Sequence, residues 1–157
     1  MIDAKRRILL KGSLAAGSIG LAAGAGLLTP GRVLAEWNET AFRAKDIPTA
    51  LSSLMGADNA EVSDKIKIKA PDIAENGAVV PVTVETDLEG VTSIAIIASG
   101  NQTPLIASFE LSPIALPFVA TRIKMAKTAD VVAVVKVGDT LYKNAKNVKV
   151  TIGGCGG

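Results

Sequence analysis

The chain has 157 residues, 48% hydrophobic, 20% charged and 3% aromatic. This is the composition of a folded domain whose core must be built from Val, Ile, Leu and Ala. The formal net charge of +2 is set by the N-terminus, where Lys5, Arg6, Arg7, Lys11 and Arg32 face Asp3 alone. The rest is mildly acidic and too poor in aromatics to stack bases, which argues against nucleic-acid binding. With no His and one Cys, the chain has no four-ligand structural zinc site, no triad with a His base and no internal disulfide.

The first element is an export signal over residues 1–35. Lys5-Arg6-Arg7-Ile8-Leu9-Leu10-Lys11 precedes an uncharged Ala/Gly/Leu-rich stretch from Gly12 to Leu28, and Val33-Leu34-Ala35 forms a small-residue cleavage site. That order is the charged, apolar and cleavable arrangement of a secretory signal. The paired Arg6 and Arg7, followed by leucines, resemble the twin-arginine type, which exports folded proteins. The apolar stretch is about long enough to span a bilayer, but its Gly and Ala content and the adjoining cleavage site favour removal. The mature chain is expected to begin near Glu36, in the periplasm and free of the membrane. No cofactor motif is visible, so no cofactor is expected, and a protein partner is the better reason for export in the folded state.

Residues 36–56 are read as a helical segment. A short helix is expected over Asn38–Ala44 with Asn38 as N-cap, and a second over Asp46–Met55, with Pro48 in its first turn and Gly56 just past its end.

Residues 57–152 then read as strands. Lys65-Ile66-Lys67-Ile68-Lys69-Ala70 alternates strictly, placing the isoleucines on one face and the lysines on the other. The lysine face is either a patch for an anionic partner or, more simply, a solvated face that guards an edge. Strand-like runs follow at Val79–Thr86, Val91–Ser99, Leu105–Leu111, Phe118–Ala126, Asp130–Val137, Leu141–Tyr142 and Val148–Ile152. Turn signals lie between them at Glu75-Asn76-Gly77, Glu89-Gly90, Ser99-Gly100-Asn101 and Ser112-Pro113, and Val137-Gly138-Asp139-Thr140 suits a type II′ hairpin. This spacing predicts an all-β fold, an immunoglobulin-like β-sandwich with short N-terminal helices, although the Cys pair and Trp of antibody domains are missing. The apolar stretch Pro113–Phe118 reads equally as core or as a loop shown to a partner.

The chain ends in a flexible arm, residues 153–157: Gly153, Gly154, Cys155, Gly156 and Gly157. Four glycines give wide backbone freedom and no side chain to dock. Cys155 can therefore reach about 10 Å beyond Ile152. A lone exposed thiol in an oxidising compartment is a liability unless used. No cation or base lies beside it in sequence, and the nearby terminal carboxylate disfavours the thiolate. The arm is thus a poor active site and a good handle, slim enough to enter an enzyme cleft. Cys155 is third from the end, not fourth as prenylation requires. Two alternatives stay open: a ubiquitin-like sulfur carrier using the Gly156-Gly157 carboxyl as a thiocarboxylate, and an interaction module linked by a Cys155 disulfide.

The ending Val148-Lys149-Val150-Thr151-Ile152 with the Gly-Gly-Cys-Gly-Gly arm resembles the SoxY family, sulfur-compound carriers of the periplasmic Sox thiosulfate-oxidation system. Ala74-Glu75-Asn76-Gly77, Val80-Pro81-Val82 and Thr121-Arg122-Ile123-Lys124 are similar to that family too. The resemblance implies a sandwich paired with a second β-protein, SoxZ. It implies Cys155 as the covalent attachment site for a sulfur substrate, and Gly153, Gly154, Gly156 and Gly157 as the hinge. It also implies three enzymes acting on that cysteine: a SoxAX cytochrome, a SoxB hydrolase and a SoxCD sulfane dehydrogenase. The chain itself would be a carrier and not an enzyme.

Overall fold

The computed structural model describes residues 38–153; the export segment with Arg6 and Arg7, and the arm from Gly154 to Gly157 with Cys155, lie outside the described residues.

Helix α1 spans Glu39–Arg43 and α2 spans Ile47–Met55. Asn38 caps α1 by accepting from the Ala41 N–H at 3.0 Å, and its amide donates to the Ser53 carbonyl at 2.6 Å, joining the two helices. Asp46 caps α2 through the Thr49 N–H at 2.8 Å, Pro48 lies in the first turn, and Gly56 closes the helix at φ +83°. The Thr49 backbone N–H, and then its hydroxyl, hold the Asp46 carboxyl below its ordinary pKa. A carboxyl depressed on folding stabilises above its unfolded pKa of about 3.9 and loses that contribution as pH falls through the folded value. We expect Asp46→Ser, which keeps a cap without a titrating group, to flatten the pH dependence of urea midpoints below about pH 4. Curves of equal slope for the parent and the variant would disprove the assignment.

Nine strands follow: β1 Glu61–Val62, β2 Ile66–Lys69, β3 Ile73–Asn76, β4 Val80–Thr86, β5 Val91–Ala98, β6 Leu105–Glu110, β7 Phe118–Ile123, β8 Ala129–Val137 and β9 Thr140–Ile152. They form a large sheet in the order β1-β9-β8-β5-β6, with β3 also on β9, and a small sheet in the order β2-β4-β7. The immunoglobulin-like sandwich expected from the strand spacing is the fold found.

Between the sheets lies a core of Ile66, Val80, Val82, Val84, Ile94, Ile96, Met125, Val131, Val135 and Val148, each 0–1% exposed. The helices cover the opposite face of the large sheet, where Ala41, Ala50, Leu51 and Met55 meet Ala95, Ile97, Leu105, Val134 and Leu141. This second layer explains the residue patterns. Strand β4 alternates because only one of its faces is buried. Strand β5 reads as an unbroken apolar run from Ile94 to Ala98 because Ile94 and Ile96 face the sandwich while Ala95 and Ile97 face the helices. Pro81, in the middle strand of the small sheet, lies beyond the end of β2, whose last pairing is Lys69 with Thr83, so β4 lacks a neighbour on that side there.

Four expectations need correction. The runs Leu141–Tyr142 and Val148–Ile152 are one strand, β9, of 13 residues. Its polar middle stays extended because those side chains bond outward: the Asn144 amide to the Ile66 carbonyl at 2.7 Å, the Lys146 ammonium to the Ala70 carbonyl at 2.7 Å, and the Asn147 amide to Asp130 at 2.7 Å. Glu75-Asn76-Gly77 is not simply a turn, because β3 runs through Asn76 in parallel with β9 before the chain bends. The run from Phe118 stops at Ile123, where Asn101 takes over the backbone groups of Lys124 and Ala126. Strand β1, not foreseen at all, is two exposed residues paired in parallel with Tyr142 and Lys143.

Other local readings hold. Gly138 has φ +56° and Asp139 is not left-handed, as a type II′ turn between β8 and β9 requires. Lys67 and Lys69 lie on the solvated face of β2, paired with Asp87 at 3.2 Å and Glu85 at 2.9 Å. Exposed pairs of this kind contribute about 0.2–1 kcal/mol each.

Candidate functional site: the base of the C-terminal arm

Strand β9 delivers the chain to Gly153, and its last residues are held from both sides. On one side β3 pairs Ile73 with Lys149, Ala74 with Val150 and Asn76 with Ile152. The Lys149 N–H donates to the Asp72 carbonyl at 3.0 Å, the Thr151 hydroxyl to the Glu75 carbonyl at 2.9 Å, and the Gly77 N–H to the Ile152 carbonyl at 2.8 Å. On the other side the Thr128 hydroxyl oxygen accepts from the Val150 N–H at 2.9 Å and reaches the Val150 carbonyl at 3.3 Å.

The segment Lys124–Thr128, which carries that hydroxyl, is itself anchored. Asn101 is 8% exposed, and its amide donates to the Lys124 carbonyl at 2.8 Å while its side-chain oxygen accepts from the Ala126 N–H at 2.8 Å. Between them the fully buried Met125 donates its N–H to the Gly77 carbonyl at 2.7 Å. Gly100 packs so closely on this segment that a Cβ there would lie 2.6 Å from the Ala129 Cβ. Gly153, the one arm residue described, sits against the same segment, and a Cβ on it would collide with the Ala126 carbonyl oxygen.

The base of the arm is thus tied on both sides. Ile152 and Val79 are 70% and 56% exposed. Elsewhere, Pro113–Phe118 proves to be a surface loop, with Ile114 at 96%, Leu116 at 83% and Phe118 at 52% exposure. It overhangs a cleft of about 390 Å³ lined by Leu88, Gly90, Val91, Leu111 and Pro117 among others. Among the described residues no group of three or more His, Cys, Asp or Glu is placed to hold a metal ion, and no helix is long and apolar enough to cross a membrane. In the sequence Asn101 reads only as part of a turn, and Thr128 and Ala126 show no role. Their signal is weak, since each acts through backbone groups distant in the chain.

Comparison with known proteins bears on what such an arm carries. Residues 51–155, a span running through Cys155, match the family of the sulfur oxidation protein SoxY. The chain belongs to the SoxY family. It is 45% identical to the sulfur carrier protein SoxY from Chlorobium limicola f thiosulfatophilum, covering 73% of this chain and 99% of that one, with a TM-score of 0.62. Superoxide reductase (neelaredoxin) from Ignicoccus hospitalis shares the fold at 17% identity, covering 58% of this chain and 94% of that one, with a TM-score of 0.52. No curated protein matches. As a SoxY-family protein the chain is a sulfur carrier of Sox thiosulfate oxidation, working with the partners of that system, whose proteins are periplasmic.

Proposed function

We propose that Cys155 is the covalent attachment point and that Gly153, Gly154, Gly156 and Gly157 form the arm that presents it. The observation that carries this reading is a family match extending through the only cysteine of the chain, at the end of a strand that the fold holds firmly in place. Loading joins thiosulfate to the thiol: R–SH and S₂O₃²⁻ give R–S–S–SO₃⁻, one proton and two electrons, the electrons passing to a SoxAX-like cytochrome. A SoxB-like hydrolase then uses water to release sulfate, leaving R–S–S⁻ and two protons. A SoxCD-like dehydrogenase oxidises the remaining sulfane sulfur. The chain supplies the nucleophile and the tether, and the enzymes supply activation, so it is not itself an enzyme. Residues 1–35, with Arg6 and Arg7, act as a cleaved twin-arginine signal, followed by the helical segment 36–56, the sandwich 57–152 and the arm 153–157.

The test is intact-mass spectrometry of the chain after incubation with thiosulfate and its oxidising cytochrome. Adducts of thiosulfonate or sulfane sulfur, removed by reductant, are expected. A thiol that stays unmodified, or forms only a disulfide dimer, overturns the carrier reading in favour of an interaction module.

A SoxZ-like β-protein is the partner we assign to the Pro113–Phe118 loop, because three large apolar side chains stand in solvent there and lead into β7, an edge strand of the small sheet. Burying two such side chains fully is worth about 3–6 kcal/mol. The double variant Ile114→Asp, Leu116→Asp should weaken the heterodimer at least about tenfold while leaving the melting temperature of the isolated chain unchanged. Calorimetric titration giving an unaltered Kd would rule this loop out.

A further inference from the structure

The four glycines of the arm do not share one role. Gly153 does not adopt a left-handed φ, so its backbone conformation is open to any residue. What excludes a side chain is contact, since a Cβ would run into the Ala126 carbonyl oxygen and come within 3.3 Å of the Ala126 carbonyl carbon. That carbonyl has little freedom to yield. Asn101 holds the Ala126 N–H and the Lys124 carbonyl, and Met125 is tied to Gly77, whose own N–H holds the Ile152 carbonyl. Ala126, Met125, Gly77, Ile152 and Gly153 thus form a closed circuit at the point where the arm leaves, and Asn101 braces its Lys124–Ala126 side.

Building on the carrier reading, we propose that Gly153 and Asn101 are positioning residues that set the direction in which the arm departs, so that the tether proper begins only at Gly154. Glycine at 153 serves close approach and not flexibility. With a side chain at 153 and Ala126 held in place, the chain itself must turn away. Two residues span at most about 7 Å, so a turn at Gly153 displaces Cys155 by a few ångströms, enough to misplace a sulfur within an enzyme cleft. Removing the Asn101 side chain frees Ala126 to move and undoes part of that effect.

Spin labels on Cys155 and on an added cysteine at the exposed Thr140 measure this directly, because β9 has 13 residues and covers roughly 40 Å at about 3.3 Å per residue. In pulsed-dipolar spectra, Gly153→Ala should shift the mean distance by about 3 Å or broaden the distribution by about half. Asn101→Ala alone should broaden it. The double variant should show a smaller shift than Gly153→Ala. A Gly153→Ala distribution superimposed on that of the parent overturns the proposal. In the unlabelled full chain, Gly153→Ala should lower cytochrome-dependent loading about tenfold while alkylation of Cys155 by a small reagent stays within about twofold. Equal loading of parent and variant also overturns the proposal. A parent chain that takes up no sulfur at all overturns the carrier reading instead, and the label distances then decide the positioning role by themselves.

Discussion

Replacing Cys155 with serine is expected to abolish sulfur loading. A hydroxyl remains protonated where a thiol supplies thiolate, and it cannot form the sulfur–sulfur bond that holds the cargo. The chain has one cysteine, so no second thiol can take over. Thiosulfate-dependent electron transfer to the cytochrome should fall at least about a thousandfold, and the mass of the variant should be unchanged by thiosulfate. Because position 155 follows the last residue of β9, the variant should melt with the parent and bind its partner normally. Loading that persists in Cys155→Ser would place the attachment elsewhere and end the covalent reading of this arm.

The second large effect concerns the platform. Ile96 is fully buried in the core between the sheets, at the middle of β5, opposite Ala133 of β8 and Ala107 of β6. The adjacent strands offer only these small side chains to fill the space. Ile96→Ala removes three carbons and leaves a cavity, which costs about 3–4 kcal/mol. For a domain of this size that lowers the melting temperature by roughly 10–15 °C. Val62→Ala, at a residue 80% exposed, changes stability by less than about 0.5 kcal/mol. Denaturant unfolding compares the two, and an Ile96→Ala loss below about 1 kcal/mol would mean the core collapses around the gap.

Much of this architecture is legible in the order of residues, and the illegible parts share a cause. Strand β4 announces itself because Val80, Val82 and Val84 alternate with exposed or half-exposed partners. The apolar runs of β5 and β8 reveal burial without revealing that helices lie on their second face. Strands β1 and β3 are invisible, being two and four residues long and extended only because β9 offers them an edge. Strand β9 looks broken since Lys143, Asn144, Lys146 and Asn147 carry turn-like or solvated character. Pairing with β8 makes them strand residues, and the side chains of Asn144, Lys146 and Asn147 reach the Ile66 and Ala70 carbonyls and the Asp130 carboxylate. The arm is proposed from the isolation of Cys155 among glycines, in residues outside those described. Its base was not legible, because Asn101 meets its partners across 23 and 25 residues, a pairing no local pattern encodes. Asn101 looked like an ordinary turn residue after Gly100.

The position of β9 has a mechanical consequence. A carrier arm withdrawn from one enzyme and inserted into another tugs on the strand that holds it, along the strand axis. Strand β9 is antiparallel to β8 from Thr140 to Val148 and is flanked from Lys149 to Ile152 by β3 in parallel. Inter-strand hydrogen bonds lie across that pull. The load is therefore a shear shared by many bonds at once, whereas a tether rooted in a peeling edge would unzip them one after another. The domain can release its grip on a partner before it loses its own shape.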